Sequence, residues 1–177
     1  MVVRAVTINR APVLTLWATV VAERLGFYRD EALTLGKAVA GLNAQSKGRR
    51  LGIFHPSKEE PTRAREREAG EVFFIQMVGR PVPAINTEDG LRAAIKGKPI
   101  DPDSVRRYLE KRFGEDLSGV REAMEALAGA FDPQELAGKS YSLYKEFRPQ
   151  IPAGKRGWGA KGELNLDYIR SLAMSRE

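Results

Sequence analysis

The chain has 177 residues, 42% of them hydrophobic, and no cysteine, which suits one ordinary domain, or two small ones sharing a core, folding without staples. The missing cysteines exclude a disulfide framework, thiolate metal sites and thiol nucleophiles. With 29 Lys and Arg against 23 Asp and Glu the net charge is +6 and the pI about 9.7, a balance that favours a polyanion such as nucleic acid as partner.

The opening MVVRAVTINRAPVLTLW lacks the layout of a secretory signal, and charged residues break every apolar stretch well short of the roughly 20 residues that span a bilayer. A soluble, cytoplasmic protein without membrane contact is expected. Val2 to Ile8 read as a strand or an extended arm. Pro12 suits a first helical turn, and Val13, Leu14, Trp17, Val20, Val21 and Leu25 mark one stripe of a helix over 12–25 that stops at Gly26. A second helix, 29–44, opens on Asp30 and Glu31, whose charge complements its N-terminal dipole. It is apolar nearly all round. Ala32, Gly36, Ala40 and Ala44 recur every four residues, so this bare face predicts a tight helix pair or a dimer seam.

Residues 56–70, PSKEEPTRAREREAG, have almost no apolar side chains and read as a charged linker. Val72 to Val78 read as a buried strand, and Arg80-Pro81-Val82-Pro83 keeps the chain extended. Thr87 is expected to cap a short helix running through Ile95. Asp101-Pro102 and Asp132-Pro133 are cap and first-turn pairs, predicting helices with Val105, Tyr108, Leu109 and Phe113 on one stripe and Leu136, Tyr141 or Ser140, Leu143, Tyr144 and Phe147 on another. Between them a helix over 117–131 carries Val120, Met124 and Leu127. After the glycine-rich loop 153–162, Asn165 or Asp167 caps a final short helix. The expected fold is mainly α, with six to seven helices and a short extended or β element around residues 72–78. The expected division is an N-terminal helical hairpin (1–55), the linker (56–70) and a C-terminal α-rich domain (71–177).

Three segments gather the bases: Lys47, Arg49, Arg50 and Lys58; then Arg92 to Arg112; then Lys145 to Lys161. The loop Ala153-Gly154-Lys155-Arg156-Gly157-Trp158-Gly159-Ala160-Lys161-Gly162 adds backbone amides that glycines leave open to an anion, and a ring that can stack on a base. Its Gly157-x-Gly159-x-x-Gly162 spacing matches the dinucleotide fingerprint, but a proline-rich turn stands where that fingerprint needs a strand, and no P-loop Gly-Lys-Ser/Thr occurs. His55 is the single histidine, so a Ser-His-Asp triad or a histidine metal site would have to rest on that one imidazole, which reads as a surface or turn residue.

Val21-Ala22-Glu23-Arg24-Leu25-Gly26-Phe27 with the helix after it resembles the turn region of helix-turn-helix DNA-binding proteins, over about residues 18–37. The would-be reading helix, however, offers Arg29, Asp30, Glu31, Thr34 and Lys37, two of them acidic and next to phosphates, so a packed αα-hairpin is the preferred reading. The functional expectation is a small nucleic-acid-binding protein, DNA first, that is not an enzyme and takes no cofactor or metal. Its contacts would be Lys47, Arg49, Arg50, Lys155, Arg156, Trp158 and Lys161, with a homodimer seam at Ala32, Gly36 and Ala40. The alternatives are a non-catalytic protein-interaction or regulatory module, and an enzyme that holds an anionic substrate on its basic loop.

Overall fold

The computed structural model describes residues 5–50, 72–150 and 161–175, with side chains through Ala44 in the first stretch and Met174 in the last. The chain opens with strand β1 (Ala5–Asn9), whose alternation turns Val6 and Ile8 inward. Its partner comes from the far end of the sequence. Strand β6 (Lys161–Asn165) pairs with it antiparallel, Val6 opposite Leu164 and Ile8 opposite Gly162. Gly162 is needed there because a Cβ would stand 2.3 Å from the Gln150 carbonyl oxygen.

Helix α1 (Arg10–Arg24) follows β1 directly, and every residue from Pro12 to Ala22 is buried. A helix enclosed on all sides must be apolar on all sides, and its polar exceptions bond inward. The Thr15 and Thr19 hydroxyls donate to the carbonyls of Ala11 (2.9 Å) and Thr15 (2.8 Å), and the Trp17 indole donates to Ser140 O at 2.9 Å. Trp17 also meets the Phe147 ring edge-on at 5.2 Å.

Gly26, at φ +112°, turns the chain into α2 (Arg29–Arg50), which lies against α1 with Gly36 at the closest approach. A Cβ on Gly36 would stand 2.3 Å from Thr19 Oγ1 and 2.4 Å from Thr15 O. The small-residue face therefore forms a tight pair within one chain, with Ala32 and Ala40 buried as well.

A four-stranded antiparallel meander comes next: β2 (Phe73–Met77), β3 (Arg80–Thr87), β4 (Gly90–Ile95) and β5 (Lys98–Pro99). Two of its turns, Val78-Gly79 and Lys96-Gly97, have positive φ at both residues, the conformation that matches strand twist in two-residue hairpins. Pro81 and Pro83 are tolerated in β3 because β4 pairs only with Ala84–Thr87, leaving the prolines with β2 alone beside them.

The sheets correct the expected architecture. The fold is mainly helical, but in place of six to seven helices with one short extended element it carries six strands in two antiparallel sheets among the described residues. The helix expected from Thr87 through Ile95 is a hairpin. Thr87 does not cap a helix: its hydroxyl accepts from Asp89 N (3.2 Å) and donates to Gly90 O (2.7 Å), closing a turn at a glycine with φ +119°. Lys161–Asn165, expected as loop, is strand because β1 supplies its partner.

The later helices begin where local chemistry places them. Asp101 accepts from Asp103 N at 3.0 Å and starts α3 (Pro102–Phe113). A 3₁₀ turn, Gly114–Asp116, leads into α4 (Leu117–Gly129). Asp132 accepts from Glu135 N at 2.8 Å and starts α5 (Pro133–Phe147). Asn165 accepts from Tyr168 N at 3.0 Å at the head of α6 (Leu166–Ser175). One hydrophobic cluster runs from Val6 to Ile169 and joins α1 and α2 to the meander and the C-terminal helices. The linker expected at 56–70 lies outside the described residues.

Gly36→Ala should lower the melting temperature by about 5–10 °C, the effect of roughly 2–3 kcal/mol of overpacking, although alanine is intrinsically the better helix former by about 1 kcal/mol. Thermal unfolding followed by circular dichroism checks this. Burial pushes the Tyr144 phenol up to about 12, against the pull of Arg148 and Arg10. An acid raised in the folded state leaves the unfolded chain to ionise first, so its contribution is complete below about pH 10 and is lost as pH rises toward about 12. Urea unfolding across that window should show wild type losing about 2–3 kcal/mol more than Tyr144→Phe.

Candidate nucleic-acid interface

The side chains expected to touch nucleic acid fall mostly outside the described residues. Lys47, Arg49 and Arg50 belong to the last turns of α2, where only the backbone is described, and Lys155, Arg156 and Trp158 lie in the segment that is not described. Lys161 is exposed at the start of β6, opposite Asn9. Of the residues expected at a dimer seam, Gly36 lies against Thr15 and Thr19 of α1 in the same chain, and Ala32 and Ala40 are buried within the chain.

The attachment points of the two basic segments share one end of the molecule. Gly36 sits against Thr15 and Thr19 in an antiparallel pair, so at 1.5 Å per residue α2 draws level with Arg10 near Asn43 and continues beyond it to Arg50. At that same end the Arg10 guanidinium donates to Pro149 O at 3.0 Å, and Asn9 pairs with Lys161. Arg50, Gln150 and Lys161, the described residues that flank these two segments, thus lie toward one end of the α1–α2 pair. Acids and bases nearly balance over the rest of the described chain, so the positive surplus belongs mainly to these two segments.

The described scaffold holds one concentration of cations, and sequence reasoning missed its centre. From Ala32 to Ala40 every residue of α2 is buried except Lys37, because α1, α3 and strands β3 and β4 enclose the helix. The same enclosure denies α2 the free face that a major-groove reading helix requires. Lys37 emerges over Tyr108 of α3, its Nζ 4.1 Å from the ring centroid, and Arg112 stands over the same ring at 5.6 Å. Burial lowers the Lys37 pKa and the neighbouring Arg112 charge lowers it further. Burial raises the Tyr108 phenol while Arg112 opposes that rise, so the ring stays neutral near physiological pH.

Val105, Leu109 and Phe113 fix the buried side of α3, and helical spacing then places Arg107 and Lys111 together on its outer side, next to Tyr108 and Arg112. Among the described residues none of these four cations, Lys37 included, has a carboxylate within ion-pair distance. Several other arginines are engaged. Arg106 pairs with Asp103 and, at 3.2 Å, with Asp30; Arg121 pairs with Glu23 and, at 3.1 Å, with Glu125; Arg24 caps α4 through Phe131 O. Two cations at one aromatic ring offer an anion charge-assisted donors, and Tyr108 supplies apolar surface beside them.

The sequence did signal part of this site: Arg107, Lys111 and Arg112 belong to the second basic segment. Lys37 stood out in the sequence only as a residue of the would-be reading helix; the packing of α2 on α3 is what brings it to Tyr108. No group of His, Cys, Asp and Glu able to hold a metal occurs among the described residues, and no helix among them is long and apolar enough to cross a membrane. Comparison with protein-family models, with curated proteins and with solved structures finds no match to this chain.

Arg112→Gln should raise the Lys37 pKa by removing the adjacent like charge. Side-chain NMR titration of the lysine Nζ groups measures it, and an unmoved Lys37 would show that Arg112 does not act on it.

Proposed function

We propose that this protein binds nucleic acid without catalysing a reaction on it, tracking the phosphate backbone with the outer face of α3 and with Lys37. The observation that supports this reading is a group of cations without carboxylate partners among the described residues: Lys37 and Arg112 at the Tyr108 ring, with Arg107 and Lys111 exposed on the outer side of the same helix. Leaving like charges together without carboxylates is unfavourable for the free protein and favourable once an anion arrives. The basic segments add a second source of attraction. Lys47, Arg49, Arg50, Lys155, Arg156 and Lys161 carry the same charge in the sequence, with Trp158 as a ring able to stack. A cytoplasmic location, where nucleic acid is available and a chain without cysteine needs no oxidising environment, fits this reading.

Fluorescence anisotropy with labelled mixed-sequence duplex DNA, single-stranded DNA and RNA, titrated across salt, tests the proposal. Affinity should fall steeply with salt. Neutralising Arg107, Lys111 and Arg112 to Gln should reduce the slope of log K against log salt by about 2–3, close to one for each phosphate that is no longer neutralised. No binding of any of the three probes at low salt would overturn the reading. An unchanged slope in the triple variant would place the phosphates away from α3.

A further inference from the structure

A cleft of about 530 Å³ opens between the first turn of α2 and the β3–β4 hairpin, away from the cations of α3. We propose that it receives one unstacked nucleobase, stacked on Tyr28 and hydrogen-bonded by Glu31 and Arg92. The proposal rests on the nucleic-acid reading for the identity of the ligand, and on the geometry of the cleft for its site.

Gly90 supplies the floor. A Cβ built on it would stand 3.2 Å from Glu31 Oε2 and 3.5 Å from Arg92 Nη1, so an acceptor and a donor converge from two elements on the volume the glycine leaves empty. Both are held in place. Glu31 Oε1 accepts from Tyr28 N at 2.9 Å and Oε2 from Leu91 N at 3.1 Å, which fixes the carboxylate and leaves each oxygen room for a further donor. The Arg92 side chain is only 8% exposed, and among the described residues its one hydrogen bond is from Nη1 to the adjacent Leu91 O at 2.9 Å, with no carboxylate in ion-pair range. No buried side-chain nitrogen or oxygen among the described residues lacks a partner, so the remaining Arg92 donors are the ones that reach the cleft, where a ligand can take them in place of water.

The ligand must therefore present a donor beside an acceptor along one edge. Tyr28 adds a second requirement. Its ring is 78% exposed at the rim, the most exposed aromatic side chain among the described residues, and offers a face to a flat partner. A planar ring with a donor–acceptor edge is a nucleobase: adenine presents its amino group beside N1, and cytosine its amino group beside N3. The exposed carboxylates of Glu88 and Asp89 repel phosphate from this rim, so the base enters while the backbone stays outside. The Asp30–Arg106 pair at 3.2 Å joins the first turn of α2 to α3, placing the cleft and the cationic face on adjoining elements. A single strand can then be held by both, whereas a stacked duplex offers the cleft no free base edge.

Uncharged nucleosides separate this proposal from the phosphate reading. Adenosine titrated into labelled protein should produce saturable NMR shifts at the Gly90 and Leu91 amides, with an affinity little changed between about 50 and about 500 mM salt. Tyr28→Ala, an exposed substitution that spares the core, should weaken that binding at least about fivefold, the loss expected of one base stack. N6,N6-dimethyladenosine, which lacks the amino donor, should bind more weakly than adenosine, and Arg92→Lys should weaken adenosine while preserving the fold by circular dichroism. Absence of saturation at about 10 mM adenosine, equal affinity in Tyr28→Ala, or stronger binding of N-acetylglutamine amide, which carries an amide edge without a ring to stack, would each overturn the proposal. If oligonucleotides bind and adenosine does not, the cleft alone fails. If adenosine binds and no oligonucleotide does, the phosphate reading fails and the cleft stands as a nucleoside site.

Discussion

The backbone approach of α1 and α2 at Gly36 sets the terms for the rest of the molecule. With no side chain there, Thr15 O and the Thr19 hydroxyl of α1 come closer to the place of a Cβ than van der Waals contact permits, and α2 sinks deep enough for α1, α3 and the meander to close around it. A helix in that position has little surface to offer a partner, and what it does offer is concentrated. Its first turn reaches the β3–β4 hairpin through Glu31 and Leu91 N, and Thr34 follows one turn on by accepting from Ala93 N at 2.9 Å. Its one polar opening in the middle is Lys37.

Both proposed modes of holding nucleic acid therefore depend on the same helix. On one side α2 delivers Lys37 to the ring of Tyr108, where Arg112 already stands. On another it positions Glu31 against Arg92 and Gly90. The two sites differ in chemistry as a nucleotide does: cations without carboxylates suit phosphate, and a fixed donor–acceptor pair below an exposed ring suits a base. A displacement of α2 would disturb both, which is why the packing at Gly36 bears on function and not on stability alone.

What could be read from the sequence was local. Asp101-Pro102 and Asp132-Pro133 announced α3 and α5 because a cap and a first-turn proline act within four residues, and the four-residue repeat of Ala32, Gly36 and Ala40 announced a close helix pair. What escaped was set by distant partners. β6 has only Gly162 and Leu164 facing inward, and it is a strand because β1, at the other end of the chain, pairs with it. The Leu91–Ala94 stretch lacks the β-branched residues that mark strands, and Gly90 and the register on β3 place it. The candidate sites followed the same rule. Basic segments were visible as composition, while Lys37 on Tyr108 and Glu31 beside Arg92 each join residues about 60 to 70 positions apart, juxtapositions that no periodicity in the sequence encodes.

The most direct test of the cationic face is residue-level NMR mapping with a short single-stranded oligonucleotide at low salt. The predicted result is that the largest shifts fall on Lys37, Arg107, Tyr108, Lys111 and Arg112, while the ion-paired Arg121 and Glu125 of α4 stay in place. Shifts centred on α4, or none on α3 while the oligonucleotide is bound, would contradict the assignment of that face to the phosphate backbone.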